Sequence, residues 1–548
     1  MMRVTLLTAS LVVPMLMATA NAQEALPPDR PGLFDPGLDL QERQQRERDI
    51  ELRDEADRVP VPALRGGDVD GQKLPETDER FVLESIGFNP SEYIAENRLE
   101  SIAGEYIGRR IGFADLNALL DEINAIYQAQ RQLTSRAVIP PQDIGDGRLK
   151  VVLVEAQLEA VRWIDDPEQV STSFYTDRIA IETGEILDTA RLLDDVQRLN
   201  TTTPGPQLSV NLESGETFGT TRLALEPFEP EPWGLRAFAN NYGSESSGEY
   251  QAGLRGRWFS PTNNADTLAA TVQATEGTMF GDIDYRIPVN RSNGEIVAGV
   301  SRNQLEIVNG AYRDLEIDGE SWEYRLGYEH PWWLNRRWST VAGVEYLRSE
   351  SETTILDGFT LSETTVDSAR LTGTARYREG DWFAQYQQIL DASATENGVT
   401  GTSGNYQRLM GNGFAQWRWT DTVRFVGKTR WQWASAEDDL PSTLLFQLGG
   451  LASTRGYESG ILAAPHGIDL SLEGHWAFTE GWEASVLMDA GHVVDEDLPE
   501  NTITSAGIGL SYSAGGPLRF DAIYANAFNE VVPEQESGQL FAQLEWQW

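Results

Sequence analysis

Cysteine is absent from the 548-residue chain, so neither a disulfide framework nor a thiolate metal site is available to it. Histidine is nearly absent as well. His330, His466, His475 and His492 are the only four, and none has the spacing of a zinc motif such as HExxH. Basic residues are few beside acidic ones, 43 against 85, which gives a net charge of −42 and argues against nucleic acid as a partner. No nucleophile elbow of the GxSxG type and no phosphate loop occurs. An enzyme is therefore not expected, nor any metal or cofactor. Beyond the first two dozen residues there is no apolar run of the ~20 residues that a membrane-spanning helix requires. A chain that crosses a membrane without such a helix must satisfy its backbone in a closed barrel, because lipid offers no hydrogen-bond partners.

What is present favours such a barrel. Trp548, Trp546, Leu544, Ala542 and Leu540 fall on one face of a final strand, with Gln547, Glu545 and Gln543 on the other. Period two with one apolar and one polar side suits a strand with lipid outside and water inside. The other end agrees. Met1-Met2-Arg3, an apolar stretch to about Met17, and Ala20-Asn21-Ala22 before Gln23 read as a secretory leader over residues 1–22.

Tryptophan divides what lies between. Only Trp163 of the sixteen precedes Trp233, an asymmetry expected of aromatic belts at lipid–water boundaries. From 233 to 548 about sixteen alternating segments are expected, starting near residues 234, 249, 266, 279, 294, 321, 338, 366, 381, 406, 423, 467, 482, 501, 518 and 539. An even number returns both barrel ends to the same side of the membrane. Residues 81–232 alternate helix and strand signals as two small α/β modules, 81–157 and 158–232. Leu116, Leu119, Leu120, Ile123, Ile126 and Tyr127 form a helical stripe in the first. Residues 60–80 carry Pro60, Pro62 and Gly66-Gly67 and read as a linker. Before it, in the region 23–59, Gln41–Arg58 interleaves arginine and glutamate three to four apart, as a solvated helix does. Lacking an apolar stripe, that helix is either a free tail or a plug in a water-filled pore, and composition alone favours the tail.

Local sequences then carry a resemblance. Tyr106-Ile107-Gly108-Arg109, Thr134-Ser135-Arg136-Ala137, Ile139-Pro140-Pro141-Gln142-Asp143 and Val151-Val152-Leu153-Val154-Glu155 occur in order in the first module, although Ala156 stands where a glycine is usual. Asn200-Thr201-Thr202-Thr203-Pro204-Gly205 and Gly215-Glu216-Thr217-Phe218-Gly219 close the second. In the barrel, Thr454-Arg455-Gly456-Tyr457 is similar to a VRGY/F loop motif, with Thr454 for valine or isoleucine, and Met488-Asp489-Ala490-Gly491 to the strand motif that meets it. Together these resemble the two-partner secretion transporters of the filamentous-haemagglutinin and haemolysin-activator type (TpsB proteins), in the superfamily of the Bam assembly barrel.

The resemblance implies an N-terminal plug helix, two POTRA modules in the periplasm and a 16-stranded barrel in the outer membrane of a Gram-negative bacterium. It implies a sixth extracellular loop folded into the lumen and locked by Arg455, Gly456, Tyr457, Asp489 and Gly491, with Arg455 paired to Asp489. It also makes Trp548, Trp546 and Leu544 a C-terminal strand signal for the barrel assembly machinery. The implied partner is a secreted exoprotein, TpsA-like, a large β-helical adhesin or cytolysin, threaded through the barrel without ATP. Capture would use POTRA edges near Leu133, Ser135, Leu208 and Val210, where an extended polypeptide can add as a strand. A sibling factor that assembles other outer-membrane proteins, a passive porin and an enzyme barrel are the other readings.

Overall fold

The computed structural model describes residues 35–548 except 59–60, 67–71, 76–78, 203–204, 311, 336, 357, 436–439, 496–497, 499 and 534. The expected leader 1–22 and its cleavage site lie outside the described residues.

Sixteen antiparallel strands, from Trp233–Asn240 to Gly538–Gln547, close into a barrel. Closure is direct: Arg236 pairs with Gln547 and Asn240 with Gln543. Alternation places Leu326, Leu371, Leu472 and Ile508 on the exposed outer wall, with polar residues such as Ser301, Ser368 and Ser505 buried inside. Ring pairs mark the periplasmic rim. Trp233 stacks on Trp258 at 4.4 Å and Trp382 on Trp417 at 5.2 Å. Most strands begin within three residues of the expected positions. The eighth begins at Phe359 rather than near 366. Most of its first seven residues pair with the neighbouring strand Trp338–Ile355, and at 21 residues it is far longer than the ~9–11 a bilayer requires, so it starts well beyond the span that the bilayer needs.

Two α/β units precede the barrel. A linker strand β1 (Leu64–Gly66) comes first in the chain but belongs to the second unit. The first unit holds β2 (Arg80–Val82), β3 (Ser85–Phe88), β4 (Arg110–Gly112), β5 (Ser135–Val138) and β6 (Arg148–Glu155), with two helices, Glu96–Gly104 and Phe113–Ala129. The longer helix forms because Leu116, Leu119, Leu120, Ile123 and Tyr127 recur on one face, each essentially inaccessible. Burying each contributes roughly 1.5–3 kcal/mol. Asp115 accepts a bond from Gly112 N at 2.9 Å and so caps the helix start.

The second unit is the sheet β1-β8-β9-β7, with β7 at Gln157–Trp163, β8 at Gln207–Ser214 and β9 at Thr220–Phe228. Helices Thr172–Thr176 and Thr189–Thr202 cover it. Its core includes two residues of the barrel. Phe259, 1 % exposed, ends the second strand, Ala265 lies in the first periplasmic turn, and both pack among Val196, Leu199 and Leu208. Arg178 adds a polar contact, donating to Asn293 Oδ1 at 2.6 Å and to Asn290 O at 3.0 Å in the second turn. Burial lowers its guanidinium to about 10, so it stays charged at neutral pH.

Phe259→Ala is expected to cost about 3–5 kcal/mol at this shared core. Limited proteolysis of intact barrels should then cut between the second unit and the first barrel strand, and unchanged resistance would show that the core does not set the docking.

Candidate functional site: the filled lumen

Loop six joins the eleventh strand, Val423–Ala434, to the twelfth, His466–Thr479, and folds into the barrel. A small hairpin, Phe446–Leu448 with Leu462–Ala464, packs with Tyr457, Val493 and Ile503 and carries the loop tip to the wall. There Arg455, 2 % exposed, meets the thirteenth strand, Trp482–Val494. Its Nη2 lies 2.6 Å from Asp489 Oδ1 and its Nε 3.0 Å from Asp489 Oδ2. Nη1 donates to Glu473 Oε1 at 2.7 Å, and Nη2 also to Ser471 Oγ. The planar fork suits this arrangement, since one face takes a bidentate carboxylate and the remaining donor a second one. Even the Arg455 backbone N donates to Asp489, at 3.1 Å.

The motif neighbours act through space. Gly456 is not in the left-handed region, so its use here is not a turn. A Cβ at this position would lie 2.6 Å from Ser505 Cβ and 2.7 Å from Ala527 N. Gly491 likewise faces Leu448 Cδ2 and Thr454 Oγ1, at 2.6 and 3.0 Å from where a Cβ would stand. Tyr457 is fully buried, its hydroxyl 2.7 Å from Asn529 Oδ1 and 3.0 Å from Thr504 O. Glu473 and Ser471 were not singled out in the sequence. Period two along the twelfth strand places Asp469, Ser471, Glu473 and His475 together on the lumen face, and that signal could have found them.

The N-terminal helix α1 (Pro36–Asp57) occupies the rest of the lumen. Its start lies at the extracellular end: Asp35 caps it, accepting from Gly37 N at 2.8 Å, and also accepts from Ser351 and loop-six Ser442. Its last turn lies at the periplasmic end, where Arg378 donates to the carbonyls of Glu55, Ala56 and Arg58. A cation at a helix C-terminus complements the helix dipole. Between these ends the helix meets the wall through charges. Glu47 pairs with Arg255, Asp49 with Lys428 at 3.1 Å, Arg53 with Glu473 at 3.2 Å and Asp54 with Arg236 at 3.7 Å. An apolar patch of Leu52 and Ala56 against Phe383, Phe414 and Val426 is small. The helix has no continuous apolar stripe because most of what surrounds it is polar, apart from this patch and the buried Leu38 and Leu40 near its start. Glu473 belongs to both systems, holding Arg455 of loop six and Arg53 of the helix.

The four POTRA-side residues lie elsewhere. Leu133 N donates to Thr189 Oγ1 at 2.8 Å, at the junction of the two units, and Ser135 sits buried on β5. Leu208 and Val210 are fully buried on β8, so only their backbone is available to another chain. Trp548, Trp546 and Leu544 project from the closing strand region, all substantially exposed on the outside.

The family model described as POTRA domain, ShlB-type matches residues 81–156. The one described as haemolysin secretion/activation protein ShlB/FhaC/HecB matches residues 219–512, more than half of the chain. The chain therefore belongs to the ShlB/FhaC/HecB family of outer-membrane POTRA-barrel proteins, its POTRA units on the periplasmic side. Among relatives, the outer membrane transporter CdiB of Dickeya dadantii is 22 % identical over 465 residues, 78 % of each chain. The heme/hemopexin transporter protein HuxB of Haemophilus influenzae is 22 % identical over 269 residues, 48 % of this chain and 46 % of its own. The chain thus spans about half the length of the HuxB relatives it matches. The structure of CdiB from Escherichia coli superposes with a TM-score of 0.71 at 16 % identity, covering 96 % of this chain and all of that one, and so shares the fold.

Arg455→Ala would leave Asp489 buried beside no guanidinium, while Glu473 keeps Arg53 and Lys428, and stranding one partner of such a buried pair costs about 3–5 kcal/mol. Loop six should become open to protease in otherwise intact barrels, with Arg455→Lys intermediate because it loses the fork. Equal protection in wild type and Arg455→Ala would contradict this energetic account.

Proposed function

We propose that this chain exports one unfolded exoprotein across the outer membrane, capturing it at the POTRA units and passing it through the barrel without ATP. The observation that supports this most is the manner in which the lumen is filled. Helix α1 is held by many ion pairs and hydrogen bonds and by little apolar area. Pairs open to water, such as Asp54–Arg236, are worth only about 0–1 kcal/mol each, since water replaces the partner on separation, and the enclosed Glu473 keeps Arg455 and Lys428 when Arg53 departs. Such a plug can leave. Loop six differs, because Arg455 and Asp489 are sealed from water and separation strands both charges.

In this reading α1 is the removable gate, and the cluster Arg455, Gly456, Tyr457, Asp489 and Gly491 is the fixed lock that keeps the loop against the wall. The client, a TpsA-like β-helical adhesin or cytolysin, meets the POTRA units near Leu133, Ser135, Leu208 and Val210. It folds outside, and that folding makes passage directional by mass action. Trp548, Trp546 and Leu544 serve insertion by the barrel assembly machinery.

Deleting the gene should remove one large protein from the extracellular fraction and leave other outer-membrane proteins at their usual level. A joint fall of many barrels would favour an assembly factor instead. In planar bilayers, deletion of residues 23–60 should raise ion conductance severalfold without preventing insertion. Unchanged conductance would remove α1 from the gate.

A further inference from the structure

Of the two POTRA sheet edges proposed above for client capture, the β8 edge is covered by the chain's own linker, and the linker also touches the chain just past β5. β1 runs parallel to β8 with Leu64 opposite Val210, Arg65 opposite Asn211 and Gly66 opposite Leu212. Val210 N donates to Ala63 O at 3.1 Å. Ala63 and Leu64 pack on the apolar margin of the unit, and Arg65 is tied to Glu226 at 2.9 Å. On the first unit Gln72 does with its side chain what a strand does with its backbone. Its Oε1 accepts from Ile139 N at 2.8 Å and its Nε2 donates to Ile139 O at 3.0 Å, just beyond β5. Leu74 is held nearby by Asn117 in both directions, at 2.9 and 3.2 Å.

We propose that this linker is a strap standing in for the client, and that an extended segment of the exported polypeptide replaces Leu64–Gly66 on the β8 edge, parallel to β8. The inference rests on the export reading given above. Three features of the structure carry it. The edge demonstrably accepts an added strand. The strand it holds has three residues, where a strand is commonly about five or six, so a longer segment makes more ladder bonds. Gly66, at φ +74°, ends the pairing, with the place of a Cβ only 2.9 Å from Leu212 O. Beyond it the β8 edge from Glu213 has no ladder partner on that side among the described residues.

The strap also reaches the gate. Only six residues separate the end of α1 from β1, a span of about 20 Å at full extension. The helix itself is about 33 Å long. While β1 is paired, the lower end of the plug is held within that radius of the second unit. Client binding at β8 frees β1, and the freed linker gives the plug the slack to withdraw. Capture and opening thus become one exchange.

Because the chain has no cysteine, the exchange can be blocked cleanly. Arg65→Cys with Asn211→Cys, oxidised in cells, fixes the strap on the edge. Export of the partner identified by gene deletion should fall at least tenfold and return on reduction, with barrel levels unchanged. A photo-crosslinking residue at Asn211 in the otherwise native chain should give adducts with that partner during export. Wild-type export by the oxidised form, or export without adducts from Asn211, would overturn the strap. Neither result touches the export reading, which fails only if deleting the gene removes no secreted protein.

Discussion

An arginine enclosed in a protein wall must bring its counter-charges with it. Arg455 stands between Asp489 and Glu473 with almost no contact with water, and the rest of the lumen is arranged around that fact. The two carboxylates come from adjacent strands, so the loop bridges them, and the strand pairing Ser471 with Asp489 fixes their spacing. Gly456 and Gly491 are the points where the loop and the wall come too close for a side chain. Tyr457 then fills the remaining apolar space and bonds both Thr504 and Asn529. The desolvation cost of such a cluster is high, and it is offset only while every partner is present.

The plug follows the opposite physical rule. Its charges are spread along the helix and matched one by one to the wall, and several are half-open to water. Separation exchanges the open pairs, such as Asp54–Arg236, for hydration at small net cost, and Glu473 retains Arg455 and Lys428 when Arg53 leaves it. Sealing by a polar helix and locking by a buried cluster are thus two solutions with different energetics inside one pore. They meet at Glu473, which contacts Arg53 and Arg455 alike. The linker extends the movable system to the periplasm, since β1 is part of the second POTRA sheet.

Much of this was legible in the residues. Strands of a barrel announce themselves by period two, and the Trp-rich half of the chain begins where the first strand does, at Trp233. The long helix of the first module was legible because five buried residues share one face. Helix Glu96–Gly104 was not, because only Leu99, Ile102 and Ala103 are buried and nine residues give too little stripe to read. The seat of α1 was not legible in composition, although the resemblance implied a plug there. A helix polar on all sides looks the same in water and in a charged lumen, and composition favoured a tail. Strand β1 escaped because three residues carry no periodicity, and its partner lies some 150 positions away. The second carboxylate of the lock, Glu473, was hidden by its surroundings: in so acidic a chain one more glutamate is not a signal until the barrel closes around it.

The central claim is that the helix moves while loop six stays. Two disulfide-forming pairs in the cysteine-free chain test it side by side during export. Asp54→Cys with Arg236→Cys ties the helix to the first strand, and Ser453→Cys with Asp469→Cys ties loop six to the twelfth. The account predicts that the oxidised helix pair stops export until reduced, whereas the oxidised loop pair exports at the rate of its reduced form. Undiminished export with the helix tied would contradict it.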